Sequence, residues 1–319
     1  MVNWRAILPH VDLRRFPFRF VYSDDYWMLD LSNHVFPVKK YRYIYERLLV
    51  RGARRDHFIF PEIPPDEDLL RVHTPRYVKK VKSGKLSPSE AQALEIPISP
   101  EGVRFSLLSV GGSITAAEVA LREGLCIHLG GGFHHAFSDH GEAFCVFNDV
   151  AVALEVMRSR GRIERAMIVD CDVHQGNGTA AIFSEKEYAF TFSIHQMDIY
   201  PSRKPPGTLD VGLWSGDGDD AYLEALTTHF PRLFGEFKPD IVFYLAGADP
   251  FALDQLGGLS LTKEGLFTRD RMILEGARRK GIPVAVVLAG GYSIEVEDAV
   301  DIHMNTVRAA RRAQRKSLR

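Results

Sequence analysis

Cysteine is scarce in this 319-residue chain, with only Cys126, Cys145 and Cys171. An odd, low count argues against a disulfide framework and for a reducing compartment. None of the three belongs to a C-x-x-C pair, which removes the usual cysteine zinc sites. Excess charge of one sign is also absent. The 40 lysines and arginines against 41 aspartates and glutamates leave a formal net charge of −1, so no global field favours nucleic acid or an acidic membrane. No apolar run approaches the roughly 18 residues that a membrane span needs. The opening "MVNWRAILPHVDLRRFPFRF" lacks the uninterrupted apolar stretch of a signal peptide. The expectation is a cytoplasmic protein with no nucleic-acid or membrane partner. Internal repeats, low-complexity linkers and composition shifts are missing too, so residues 1–319 read as a single domain, a size that α/β folds reach beyond about 250 residues.

What the chain does have is a series of short apolar runs: "FRFVYS" (18–23), "LCIHL" (125–129), "AMIVD" (166–170), "YAFTFSI" (188–194), "IVFYLAG" (241–247) and "VAVVLAG" (284–290). Their apolar character is nearly continuous rather than alternating, as in strands covered on both faces of a parallel sheet. Helical patterns lie between them. "NDVAVALEVMRSRG" (148–161) opens on the capping residues Asn148 and Asp149 and stops at Gly161. "GDDAYLEALTTHF" (218–230) and "GLFTRDRMILEGARRKG" (265–281) continue the alternation. This order predicts a doubly wound α/β fold with a central, mainly parallel sheet and helices on both faces. Residues 51–101 are proline-punctuated and then helical, and read as a surface excursion. The acid-free "RAARRAQRKSLR" at the end of the chain reads as a solvated helix end.

The polar clusters follow the predicted strands, where open parallel sheets form their sites. "VDCDVHQGNG" (169–178) ends a buried strand in Asp170, Asp172, His174 and Asn177, and buried carboxylates are costly unless paired or bound to a metal. If the strand stays extended, Asp172 and His174 point the same way. Asp249, past another strand, offers a third ligand. Two carboxylates and an imidazole suit a catalytic Zn²⁺ with an open position, and Fe²⁺ or another borderline divalent ion fits equally. His134 and His135 follow "GGG" at a further strand end. A tandem pair beside a metal offers a general base and a general acid. Gly290-Gly291-Tyr292 places a phenol at another strand end, where it can hydrogen-bond a developing oxyanion; without the other motifs, the preferred reading is a core or rim tyrosine.

Together these segments carry a resemblance. "VHTPRY", "GGFHHAFSDHGEAFCVFND", "VDCDVHQGNG", "AGADPFALDQLGGLSLT" and "AGGYS" agree in order and spacing with the zinc-dependent histone deacetylase family. The match covers about residues 20–305, and "HQGNG", "DQLGGLS" and "GGYS" are most similar to the class IV branch and its bacterial relatives. The resemblance implies the arginase/deacetylase α/β fold and hydrolysis of N-acyl amides, chiefly acyl-lysine, by metal-activated water. It assigns Asp172, His174 and Asp249 to the zinc, His134 and His135 to the tandem pair, and Tyr292 to polarising the scissile carbonyl. It sets Asp170 behind His134 and Asn177 behind His135. A carboxylate can orient and cationise its histidine, whereas an amide can only orient it, so His135 is expected to stay neutral more readily. Phe144 and Tyr200 resemble the walls of the acyl-lysine tunnel. Ala143 stands at a rim position where related sequences often have glycine, and Cys145 reads as packing. A structural potassium is implied around Asp170, Asp172, His174, Ser193 and Ile194. Two further readings stay open: deacetylation of acetylpolyamines or other small N-acyl compounds, and a non-catalytic acyl-lysine binder. A ureohydrolase would need two bridging metals and more carboxylates.

Overall fold

Each of the six apolar runs folds as a β-strand in this computed structural model, which describes residues 16–29, 31 and 34–317. Among the described residues the strands are β1 (Arg19–Val21), β2 (Phe58–Ile59), β3 (Leu125–His128), β4 (Ala166–Asp170), β5 (Ala189–Gln196), β6 (Leu209–Leu213), β7 (Ile241–Leu245) and β8 (Val284–Val287). They form one sheet in the order β2-β1-β3-β8-β7-β4-β5-β6, and every described pair is parallel. All residues of β3, β4, β5, β7 and β8 are buried. Neighbouring side chains in a strand point to opposite faces, so both faces of the central sheet are covered.

Register brings the strand ends together. Asp170 lies level with Leu245 of β7 and Ser193 of β5; Leu245 is level with Val287 of β8, and Val287 with His128 of β3. The five loops that follow therefore leave from one rim. The two strands that sequence reading missed are the sheet's edges. β2 has two residues, too few for any periodicity. β6 lies in the 201–218 segment and alternates buried with exposed positions over its last four residues, as an edge partly open to solvent does.

Helix caps carry part of the site. Asn148 caps the helix Asp149–Ser159 by accepting from the Ala151 N–H at 3.0 Å. Its amide also donates to Thr179 Oγ1 at 2.9 Å and to the Ala136 carbonyl at 3.2 Å. The Asp149 carboxylate accepts from Gly132 N at 3.1 Å, Phe133 N at 2.8 Å and the Ser113 hydroxyl. One cap thus holds both ends of the segment that contains His134 and His135.

Residues 51–101 are more than a surface excursion. Their helices Pro75–Lys82 and Pro88–Leu94 bury Tyr77, Val78, Val81 and Leu94. The Tyr77 hydroxyl donates to the Val146 carbonyl at 2.8 Å. The Ala143 and Phe144 N–H groups donate to the carbonyls of Ala93 and Leu94, both at 2.9 Å. The basic C-terminal segment is likewise not simply solvated. It belongs to the helix Val296–Ser317, which buries Ala309, Ala310 and Ala313 and pairs Arg312 with Glu275 at 3.0 Å. Residues 1–15, which carry most of the opening read for a signal peptide, and the last two of the basic segment lie outside the described residues. Among the described residues no helix is long and apolar enough to cross a membrane.

The turn built on residues 93–94 is left-handed at two non-glycine residues, Ala143 at φ 42° and Phe144 at φ 69°. Such backbone costs an L-residue roughly 1–2 kcal/mol, against roughly 0.5–1 kcal/mol of conformational freedom that glycine gives up on folding. Ala143→Gly is therefore expected to be neutral or to stabilise the protein by up to about 1 kcal/mol in urea denaturation. A loss of stability of about 1 kcal/mol or more would mean that the alanine is not strained there.

Candidate active site

β4 ends at Asp170, so Asp172 and His174 do not stand on an extended strand as the sequence reading supposed; they lie in a bend. The bend is built by the carboxylates themselves. Asp170 Oδ1 accepts from Asp172 N at 3.1 Å, and Asp172 Oδ1 accepts from His174 N at 3.0 Å. Short acidic side chains turn the chain in this way by bonding the N–H two residues on. The result still brings Asp172 and His174 together, because their side chains meet across the bend. Asp172, His174 and Asp249 each offer a ligand atom within 4.8 Å of the others.

Three strand ends are laced into this cluster. Val173 N donates to Asp249 Oδ1 at 3.0 Å, Gly290 N to Asp172 Oδ2 at 2.9 Å, and Ala248 N to the Gly290 carbonyl at 2.9 Å. One oxygen is left over: Asp249 Oδ2 is buried and has no hydrogen-bond partner among the described residues. His174 Nδ1 approaches it only to 3.7 Å. Burial and the Asp172 charge push the Asp249 carboxyl up to about 8. Burial alone would lower the His174 imidazole, but the neighbouring Asp172 and Asp249 carboxylates outweigh this and push it up to about 10. The cluster therefore holds protons that a cation would displace, since ligating imidazole is neutral and ligating carboxylates are ionised. An orphaned oxygen in a nitrogen-and-oxygen donor set fits a divalent ion.

The tandem histidines stand beside this cluster. His134 Nε2 and His135 Nε2 are 3.1 Å apart, and His134 Nε2 is 3.8 Å from Asp172 Oδ1. Their outer nitrogens meet different partners, His134 Nδ1 at 2.7 Å from Asp170 Oδ2 and His135 Nδ1 at 2.7 Å from Asn177 Oδ1. Both are buried, which lowers an imidazole pKa. For His134 the charges of Asp170 and Asp172 outweigh burial and push it up to about 9. For His135, burial and then the neighbouring His134 and His174 charges hold it well below the ordinary value. Gly178 permits the close approach that makes this possible: a Cβ there would lie 2.3 Å from the Ala136 carbonyl oxygen.

The aromatic residues reach the site as well. Tyr200 is 40% exposed and stands edge-on to His135, with centroids 4.9 Å apart, and 6.3 Å from His174. Phe144 meets Tyr292 at 5.9 Å and Phe36 at 5.7 Å. The Tyr292 backbone is clamped, its N–H donating to Asp254 Oδ2 at 2.7 Å and its carbonyl accepting from Gln255. Burial and the charges of Asp172 and Asp249 hold its phenol well above the usual tyrosine pKa, so it is a donor at neutral pH. Burial pushes the Cys145 thiol well up, as a packed and unreactive thiol requires. Of the residues expected around potassium, Ser193 and Ile194 lie in β5 beside the end of β4, but the Ser193 hydroxyl is engaged with His195 Nδ1 at 2.9 Å.

Four contributors escaped sequence reading. Asp254 could have been found, since it sits in the "FALDQLGG" segment already singled out. Phe36 and Lys40 lie far upstream in sequence with no motif around them; the buried Lys40 Nζ donates to the Ala289 carbonyl at 2.7 Å. Glu142 lies inside the histidine motif but had no partner to point to, and here it accepts from both Asn177 and Tyr200.

Gly290 gives a direct test of the cluster. A Cβ there would fall 1.9 Å from Asp249 Oδ2 and 2.5 Å from Asp172 Oδ2. Gly290→Ala should cut divalent-metal affinity by roughly 10- to 100-fold, measured by elemental analysis and titration on protein whose circular dichroism is unchanged. Wild-type affinity in that variant would show that the metal is held elsewhere.

Known proteins share this fold. The family profile described as Histone deacetylase domain matches residues 34–307. An uncharacterised protein of Picosynechococcus sp. is 41% identical over 295 residues, covering 92% of this chain and 98% of its own. Histone deacetylase 2 of Arabidopsis thaliana is 31% identical over 285 residues, covering 85% and 74%. The solved structure of an HDAC homolog from Aquifex aeolicus has the same fold, with a TM-score of 0.79 at 21% identity, covering 92% of this chain and 84% of that one. A family match across most of the chain, joined to relatives of this identity and coverage, means that the chain belongs to the histone deacetylase family and is a hydrolase of that type.

Proposed function

We propose that this protein is a zinc-dependent deacylase that hydrolyses the amide of acyl-lysine in a protein. The observation that carries the reading is the pair of histidines in Nε2–Nε2 contact, one backed by a carboxylate and one by an amide, beside an Asp-His-Asp cluster with an orphaned oxygen.

Asp172, His174 and Asp249 would hold the ion. When bound, a divalent ion of this kind acidifies a water and polarises a carbonyl. Every other role falls to side chains. His135, held neutral, takes a proton at Nε2 as water attacks the acyl carbon. His134, kept cationic by Asp170, gives its Nε2 proton to the departing lysine amine. The Tyr292 phenol donates to the carbonyl oxygen as negative charge develops on it. Phe144 and Tyr200 line the aliphatic stem of the lysine, and Ala143 sits at the entrance. A potassium beside Asp170, Asp172, His174, Ser193 and Ile194 would stiffen the adjoining ends of β4 and β5 from below. The class IV-like placement rests on the motifs "HQGNG", "DQLGGLS" and "GGYS". A ureohydrolase is disfavoured because the Asp172, His174 and Asp249 group is the one such acid-and-histidine set found among the described residues.

The test is a panel of acetyl-lysine peptides, longer acyl-lysine peptides and acetylpolyamines, offered to protein loaded with Zn²⁺ or Fe²⁺. Turnover of acyl-lysine peptides above the others is expected, and turnover of acetylpolyamines alone would replace the substrate assignment. Tyr292→Phe should lower kcat on the preferred substrate by roughly 100- to 1,000-fold while metal content stays unchanged. Full activity in that variant would remove the electrophilic role from Tyr292.

A further inference from the structure

His135 can serve as a base at Nε2 only if its proton is on Nδ1, and asparagine does not secure this alone. An amide can present that nitrogen its oxygen or, turned over, its NH2 group. The first leaves Nε2 free to accept; the second draws the proton onto Nε2. An aspartate in this position would have no such ambiguity, because both its oxygens accept.

The partner on the far side of the amide decides the matter. Asn177 Nδ2 lies 3.1 Å from Glu142 Oε2. An ionised carboxylate has only acceptors, so the amide nitrogen must face it and Oδ1 must face His135. The same Glu142 oxygen receives the Tyr200 hydroxyl at 2.6 Å, and Oε1 is 3.3 Å from His140 Nε2. The Tyr200 hydroxyl alone could not set the direction, because a hydroxyl both donates and accepts. The left-handed turn at Ala143 and Phe144 carries Glu142 as well as Phe144, and its carbonyl accepts from Cys145 N at 2.8 Å. A rigid turn thus delivers the carboxylate, although its side chain is 29% exposed.

We propose that Glu142 is a positioning residue for the catalytic pair. Its carboxylate orients the Asn177 amide, fixes the tautomer of His135 with Nε2 as acceptor, and ties the Tyr200 wall to the same anchor. This rests on the reading of the site as a deacylase, but its first test does not.

Full-length protein labelled with ¹⁵N-histidine reports the tautomer through its ring-nitrogen shifts, with His135 assigned by the signal lost in His135→Asn. Wild type should show Nδ1–H. Glu142→Gln and Glu142→Ala should each move a measurable fraction to Nε2–H. On the preferred acyl substrate kcat should fall by about 10-fold, the scale of lost orienting partners, and Glu142→Gln should change KM less than kcat. Adding Asn177→Asp to Glu142→Gln should restore the Nδ1–H form and most of kcat, since that side chain needs no external orienter. A wild-type tautomer in both single variants overturns the proposal, whatever the activity. Altered tautomers in a protein that hydrolyses no acyl amide would support the role of Glu142 while refuting the deacylase reading.

Discussion

Two carboxylates, Asp172 and Asp249, are buried beside each other at the rim of the sheet, and the surrounding structure answers their repulsion. Burying one ionised carboxylate without compensation is costly, and a second nearby raises the cost. Backbone N–H groups from Val173, His174 and Gly290 take up three of the four oxygens. The fourth, Asp249 Oδ2, receives no hydrogen bond among the described residues. Complete satisfaction would have made a stable polar core with no capacity to bind anything. An acceptor left unanswered in a set that also contains an imidazole makes a donor group that could hold a cation.

A parallel sheet is well suited to this. Neighbouring strands run the same way, so β4, β7 and β8 finish side by side, and their next residues can bond across strand ends without long excursions. The same rule brings the loop after β3, with His134 and His135, to the cluster. The fold also separates the two histidines chemically. They share burial and lie in contact, yet Asp170 backs one and Asn177 the other. A charge of −1 behind His134 offsets its desolvation; an amide behind His135 does not. That difference in partner is one cause of the opposite shifts in these touching residues; the Asp172 charge also raises His134, and the His134 and His174 charges also lower His135.

Much of this was legible in the sequence because both burial and its exceptions leave marks. Continuous apolar runs identified the central strands, and acids following them identified Asp170, Asp172 and Asp249 as groups needing compensation. Tandem histidines after a glycine run were conspicuous for the same reason. What escaped notice depends on distance or on local hydrogen bonding. The bend at 171–174 arises from side chains bonding their own backbone, whereas period-two reasoning assumed an extended strand. The edge strands β2 and β6 are too short or too exposed to show a continuous run. Glu142 looks like any surface acid until folding sets it against Asn177 and Tyr200, which are 35 and 58 residues away in sequence.

Lys40 shows how far such compensation reaches. A buried lysine is as costly as a buried acid, and burial lowers its pKa to about 8 even though the charges of Asp249, Asp172 and Asp254 pull the other way. Its Nζ donates to the carbonyl of Ala289, next to Gly290, whose N–H holds Asp172. It also lies 5.9 Å from the centre of the Tyr292 ring. The helix Lys39–Val50, which contributes no residue to the metal cluster, thereby places a positive charge behind the loop that carries both the Asp172 anchor and the phenol. That charge weakens the mutual repulsion of the acids, while Asp249 Oδ2 keeps no hydrogen-bond partner among the described residues. The loop is stiffened and the acids are partly offset, while the place for a cation stays open. A shorter or neutral side chain at position 40 would leave the Ala289 carbonyl without this donor, so the reach of a lysine is needed for both tasks at once.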